Sequence, residues 1–196
     1  MFKKLFQKKN NTSPAENYLN HLDRIFQKEA EFYKEDSLIP ETVGVSSIVY
    51  KDIPEEGMLT AFTYGLSAVK HPDWKAGRAE LMIAVESQDK SWAVAIAQLA
   101  NKLRGDCPFS YSNTINFGRR ISEESEMDAF LIFAPSIFQN QDDYLHLDIG
   151  LDFNISIAAA YPIYSSEIEF IEREGLEKFW KHPDFDLYNV RRKRIL

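Results

Sequence analysis

The chain has 196 residues, 44% hydrophobic and 13% aromatic, enough to bury a core within one domain without disulfide staples. Cys107 is its only cysteine, which excludes an internal disulfide and favours a reducing compartment. The net charge of -7 is uneven: residues 121–190 carry fifteen Asp and Glu against three Lys and Arg, an acidic surface that repels nucleic acid and attracts basic partners.

In chain order, residues 1–12 read as a basic tail without the apolar core of a signal peptide. No run reaches the ~18 apolar residues of a membrane span, so a cytoplasmic protein with no membrane contact is expected. Ser13, Pro14 and Glu16 form a capping-box start. Tyr18, Leu19, Leu22, Ile25, Phe26, Ala30 and Tyr33 then recur at helical spacing, predicting a helix to about Lys34. Val43 to Tyr50 alternates as a strand does, and Asp52 to Gly57 turns the chain into a second strand at Leu59.

Gly65 supplies the positive φ for a sharp exit from that strand, leaving Tyr64 and Ser67 at the sheet's end. The following loop, Val69 to Gly77, is the first place expected to form a contact surface. Leu81 to Val85 is apolar without a break, the signature of a strand covered on both faces, and is placed at the centre of a sheet. A helix capped by Asp89 carries Trp92, Ala93, Ile96, Leu99, Ala100 and Leu103 and ends at Gly105. Further strands are expected at Thr114 to Gly118, Met127 to Phe133, Leu145 to Ile149 and Phe153 to Ile157. A second capping box at Ser166 and Glu169 opens a last helix, interrupted at Gly175, and residues 191–196 form a basic tail. The expected architecture is one α+β domain over residues 13–190, with a mixed sheet covered by helices.

Several residues could carry chemistry. His71-Pro72-Asp73 beside Trp74 and His182-Pro183-Asp184 beside Trp180 offer two His/Asp pairs, the parts of a metal site or an acid and base. A metal-assisted hydrolase using His71, Asp73, His182 and Asp184 is therefore the alternative reading. The favoured one makes both segments ordinary turns. Glu80 opens an apolar strand, either as a buried carboxylate or, preferably, at the strand end with an Arg or backbone N–H as partner. No nucleophile elbow or Gly-rich phosphate loop is present, so no catalytic residue and no cofactor is assigned. Glu123, Glu124, Glu126, Asp128, Asp142, Asp143, Asp148 and Asp152 form either a surface that steers a basic partner or a solvated face.

Thr63-Tyr64-Gly65-Leu66-Ser67, Arg78-Ala79-Glu80-Leu81, Phe117-Gly118, Tyr161-Pro162-Ile163-Tyr164-Ser165-Ser166-Glu167 and the closing His182-Pro183-Asp184 with Asp186 and Asn189 resemble the suppressor of fused domain family, over roughly Tyr18 to Arg192. The resemblance implies an α/β domain that binds other proteins and performs no known chemistry. Animal members sequester a transcription factor in Hedgehog signalling, whereas short bacterial members look like immunity proteins that neutralise toxins. This chain resembles the bacterial kind, since it stops near the domain's end. The implied function is an immunity or antitoxin protein that binds a cognate toxin, with an adaptor for a normal cellular protein as a further possibility. Tyr64, Ser67, His71, Trp74, Asp142, Asp143, Asp148 and Asp152 are its candidate partner contacts.

Overall fold

The computed structural model describes residues 12–75 and 77–195; most of the basic N-terminal tail lies outside the described residues. Helix α1 (Pro14–Phe26) starts as its sequence dictates, with Ser13 Oγ accepting the Glu16 N–H and Glu16 Oε2 accepting the Ser13 N–H at 2.7 Å. It stops eight residues short of the expected end because Gln27 turns left-handed, with φ 52°. Residues of its supposed last turns form instead strand β1 (Glu31–Glu35), whose Tyr33 pairs with Ser47 of strand β2 (Val45–Lys51).

Strands β3 (Leu59–Tyr64), β4 (Arg78–Val85), β5 (Thr114–Asn116), β6 (Ala129–Phe133) and β7 (Ile155–Ile163) complete a seven-stranded sheet of order β1-β2-β3-β4-β7-β6-β5. Every pairing is antiparallel except β4 with β7, so the sheet is mixed and β4 is its middle strand, as the unbroken apolar run predicts. The strand expected at Leu145 to Ile149 does not form. Leu147 and Ile149 are buried and His146 and Asp148 exposed, yet the left-handed φ of 55° at His146 breaks the extension and a single bridge, Leu147 to Ile155, remains.

Helix α2 (Ser91–Leu103) covers one face of the sheet, with Trp92, Ile96 and Leu99 packed among Val49, Leu59, Ile83 and Phe130. Asp89 accepts the Ser91 N–H at 3.0 Å, meeting one of the donors left free at the helix start. On the other face, Tyr18 and Leu22 of α1 and Phe179 of α4 (Leu176–Trp180) pack with Phe62, Met82 and Ile157. Helix α3 (Ser165–Glu174) begins one residue before the expected box, and Glu167, not Glu169, accepts the Tyr164 N–H at 3.0 Å. Gly175 separates α3 from α4. The result is a single α+β domain.

Candidate functional site

Parallel pairing of β4 and β7 sets Arg78 opposite Ile155, so the loops that feed these two strands meet at one end of the sheet. Strand β3 leaves at that same end, through Tyr64. The β3–β4 connection, with Tyr64, Ser67, His71 and Trp74, therefore stands beside the β6–β7 connection, with Asp142, Asp143, Asp148 and Asp152. Arg78 N–H donates to Asn154 O at 2.8 Å across the junction, and its guanidinium lies 3.6 Å from the centre of the Phe153 ring.

The first connection is built around one carboxylate. Glu80 is fully buried and accepts five hydrogen bonds: from Thr63 Oγ1 (2.6 Å), Gly65 N (2.9 Å), Leu66 N (3.3 Å), Ser67 N (3.1 Å) and Ser67 Oγ (2.7 Å). Three successive backbone N–H groups can aim at one anion because Gly65 takes φ 120°, and a Cβ there would stand 2.4 Å from Gly44 O. Backbone N–H partners were among those expected of Glu80, whereas its complete burial goes against the preferred placement at the strand's end. Ser67 is consequently buried, with its hydroxyl committed inward. Tyr64 is half-buried, its ring 5.7 Å from that of Tyr18; desolvation, then the Glu80 charge, holds its hydroxyl pKa above the ordinary value.

The two His-Pro-Asp segments fold into the same turn. In each, the imidazole Nδ1 accepts the Asp N–H, at 3.1 Å for His71 and Asp73 and 3.2 Å for His182 and Asp184. Each histidine carbonyl also accepts the N–H three residues on. With Nδ1 committed as an acceptor, the ring proton is on Nε2. Among the described residues no group of three or more His, Cys, Asp and Glu could hold a metal ion, so the four residues of the hydrolase reading form no such centre. Trp74 Nε1 donates to Pro108 O at 2.8 Å and its ring borders an open groove of about 410 Å³, shared with Arg78, Tyr111 and His146.

The second connection is fastened to α1. His21 Nδ1 accepts from the Arg24 guanidinium at 3.1 Å, so its Nε2 donates to Asp143 O at 2.8 Å. Asn17 Nδ2 donates to Ile149 O at 3.0 Å. Asp142, Asp148 and Asp152 are exposed and, among the described residues, form no ion pair; Asp143 is half-buried. The remainder of the acidic group is partly engaged inside the molecule. Glu124 takes Ser87, Trp92 and Arg191; Glu126 takes Arg120 at 3.2 Å; Asp128 takes the N–H and hydroxyl of Ser165 at the start of α3.

Two buried arginines escaped the sequence reading. Arg104, 3% exposed, donates to Val43 O at 2.7 Å and Gly65 O at 3.1 Å, bracing the same turn from outside. Arg192 forms a fully buried two-pronged pair with Glu167, at 2.6 and 2.7 Å, although it lies among the four charges of the expected C-terminal tail; Ile195 is buried with it. The only signal was Arg104 in the last turn before Gly105; nothing local marks Arg192.

Comparison with known proteins gives one family. The family described as suppressor of fused protein matches residues 40–193. No curated protein matches the sequence. Among solved structures, a suppressor of fused homologue from Neisseria gonorrhoeae superposes with a TM-score of 0.66 at 20% identity, covering 91% of this chain and 94% of that one. The structure of the Sufu–Fu complex gives a TM-score of 0.61 at 12% identity, covering 92% and 91%. Drosophila Suppressor of Fused gives 0.56 at 11% identity over 92% of this chain but 50% of its own length. At these identities the likeness establishes the fold, and the Sufu–Fu complex shows a relative with that fold bound to another protein. With a match spanning most of its length and the fold to accompany it, this chain belongs to the suppressor of fused family.

Proposed function

We propose that this protein acts by stoichiometric binding of another protein, as a cytoplasmic immunity or antitoxin protein of a bacterium, and carries out no catalysis. The observation that supports this best is the loop end of the sheet: exposed Asp142, Asp148 and Asp152 on a connection tied to α1, beside exposed Leu151 and the half-buried Trp74. Fixed loops lose little entropy on binding, and unpaired carboxylates attract a basic surface such as the substrate face of a nuclease toxin. The protein-binding role takes further support from the Sufu–Fu complex.

Affinity purification of the tagged protein from its native organism tests the reading. Recovery of the C-terminal domain of a secreted effector is the expected result; recovery of a housekeeping protein would support the adaptor instead. With the partner in hand, charge reversal of Asp142, Asp148 and Asp152 is expected to slow association about tenfold and flatten its salt dependence, read by stopped-flow. Unchanged rates would remove this face from the interface.

A further inference from the structure

Far from the loop end, strand β1 closes one side of the sheet with its outer backbone edge unpaired among the described residues. Among the described residues, three of the five exposed large apolar side chains lie on it or on the connector to β2: Phe32 at 52% exposure, Leu38 at 68% and Val43 at 62%. Phe32 pairs with Ile48 and so belongs to the α1 side of the sheet, whereas Tyr33 pairs with Ser47 on the α2 side.

The connector is held in place. Buried Asn101 donates to Asp36 O at 2.6 Å and accepts the Leu38 N–H, while buried Arg104 donates to Val43 O and to Ser37 Oγ. Internal polar groups thus keep the backbone under two outward apolar side chains fixed, an arrangement that lowers the entropy lost when something docks. An open strand edge with fixed apolar neighbours is a template for an added strand.

Charge selects the occupant. Two-fold antiparallel pairing with a second copy, centred on Phe32, Tyr33 or Lys34, sets Glu29 against Glu35, Glu31 against Glu35, or Lys34 against its own copy. Like charges directly opposite are unfavourable in every case. Glu29, Glu35, Asp36 and Glu41 along this edge form no ion pair among the described residues. Glu31, by contrast, is already held by Lys51 and Lys90. We propose that the β1 edge takes an extended segment of a different protein, alternating apolar and basic residues: apolar side chains beside Phe32 on one face, basic ones facing the unpaired Glu35 on the other. This surface is independent of the acidic loop end and does not rest on the toxin reading.

Two synthetic decapeptides test it on the full chain, one alternating Val and Lys, the other Val and Glu. The Val-Lys peptide is expected to slow amide exchange at least tenfold within residues 31–35, and Phe32→Glu and Glu35→Lys are each expected to weaken it at least fivefold. Both side chains are exposed or at the edge, and thermal unfolding of each variant checks that it folds. Equal protection by the Val-Glu peptide, or protection confined to other segments, would overturn the proposal. So would concentration-dependent protection of β1 without peptide, accompanied by dimer in sedimentation. Charge reversal at Asp148 and Asp152 is expected to leave β1 protection unchanged, which separates this surface from the one proposed above.

Discussion

Two glutamates, Glu80 and Glu167, are both completely buried, and the fold satisfies them by opposite means. Glu80 receives only neutral donors, all within a short stretch from Thr63 to Ser67, and serves to shape one turn. Glu167 receives a guanidinium from Arg192 together with the N–H groups of Tyr164 and Ile195, and serves to fasten the last described residues to the start of α3. A carboxylate held by dipoles organises its own neighbourhood. One held by a charge ties distant parts of the chain together, at the cost of burying a second ion.

The largest expected effect comes from Arg192→Met, which removes a guanidinium set over the Phe179 and Phe185 rings and leaves the buried Glu167 carboxylate without its counter-charge. A loss of about 3–5 kcal/mol is expected in urea unfolding. Adding Glu167→Leu to it should recover part of that loss; a double variant no better than the single would break the contrast, since the stranded charge would not then be the cause. Glu80→Gln comes next. It keeps the shape but turns an NH2 toward donors, for roughly 2–3 kcal/mol, with amide exchange accelerated at Gly65 and Ser67 but not at Ile195. Acceleration at Ile195 as well would show that the two sites are not separate.

The smallest effect sharpens the comparison at Glu124, which mixes both modes. Burial by itself would raise its pKa, but Ser87, Trp92 and Arg191 together outweigh that and hold it below the ordinary 4.5. A folded-state pKa below the unfolded one contributes stability that is complete above the ordinary value and fades as pH falls through the lower one. Ser87→Ala should therefore shift the acid unfolding midpoint upward, and by more than Arg191→Ala, because the Arg191 side chain is 67% exposed and screened by water. The reverse order, followed by circular dichroism in acid, would assign the effect to the charge.

These contrasts also explain what was legible in the sequence. At the Glu80 turn, the positive φ of Gly65 and a backbone N–H partner for Glu80 were legible, but not that Ser67 would close on the same carboxylate. The central position of β4 was legible from its composition. The end of α1 was not: Ala30 and Tyr33 continue its helical spacing, and only the pairing of Tyr33 with Ser47, a contact made in the folded molecule, turns that segment into a strand. Alternation at Leu145 to Ile149 reported burial correctly and pairing wrongly, because burial depends on which side chains face inward while a strand also needs an uninterrupted backbone. The pairing of Arg192 with Glu167 left no local trace at all. Of the candidate contacts, Asp142, Asp148 and Asp152 are exposed and Asp143 half-buried, whereas Ser67 and His71 are spent on internal bonds that their residue types alone could not announce.

The parallel junction between β4 and β7 bears on how the protein comes into being. Strands β1 to β4 are successive neighbours joined by short connections and can assemble early, as local contacts do; β7 must wait for everything between to be made and for a long loop to close. Because the two loop connections meet only across that seam, a nascent chain on the ribosome has only one of them in place until synthesis has passed the final strand.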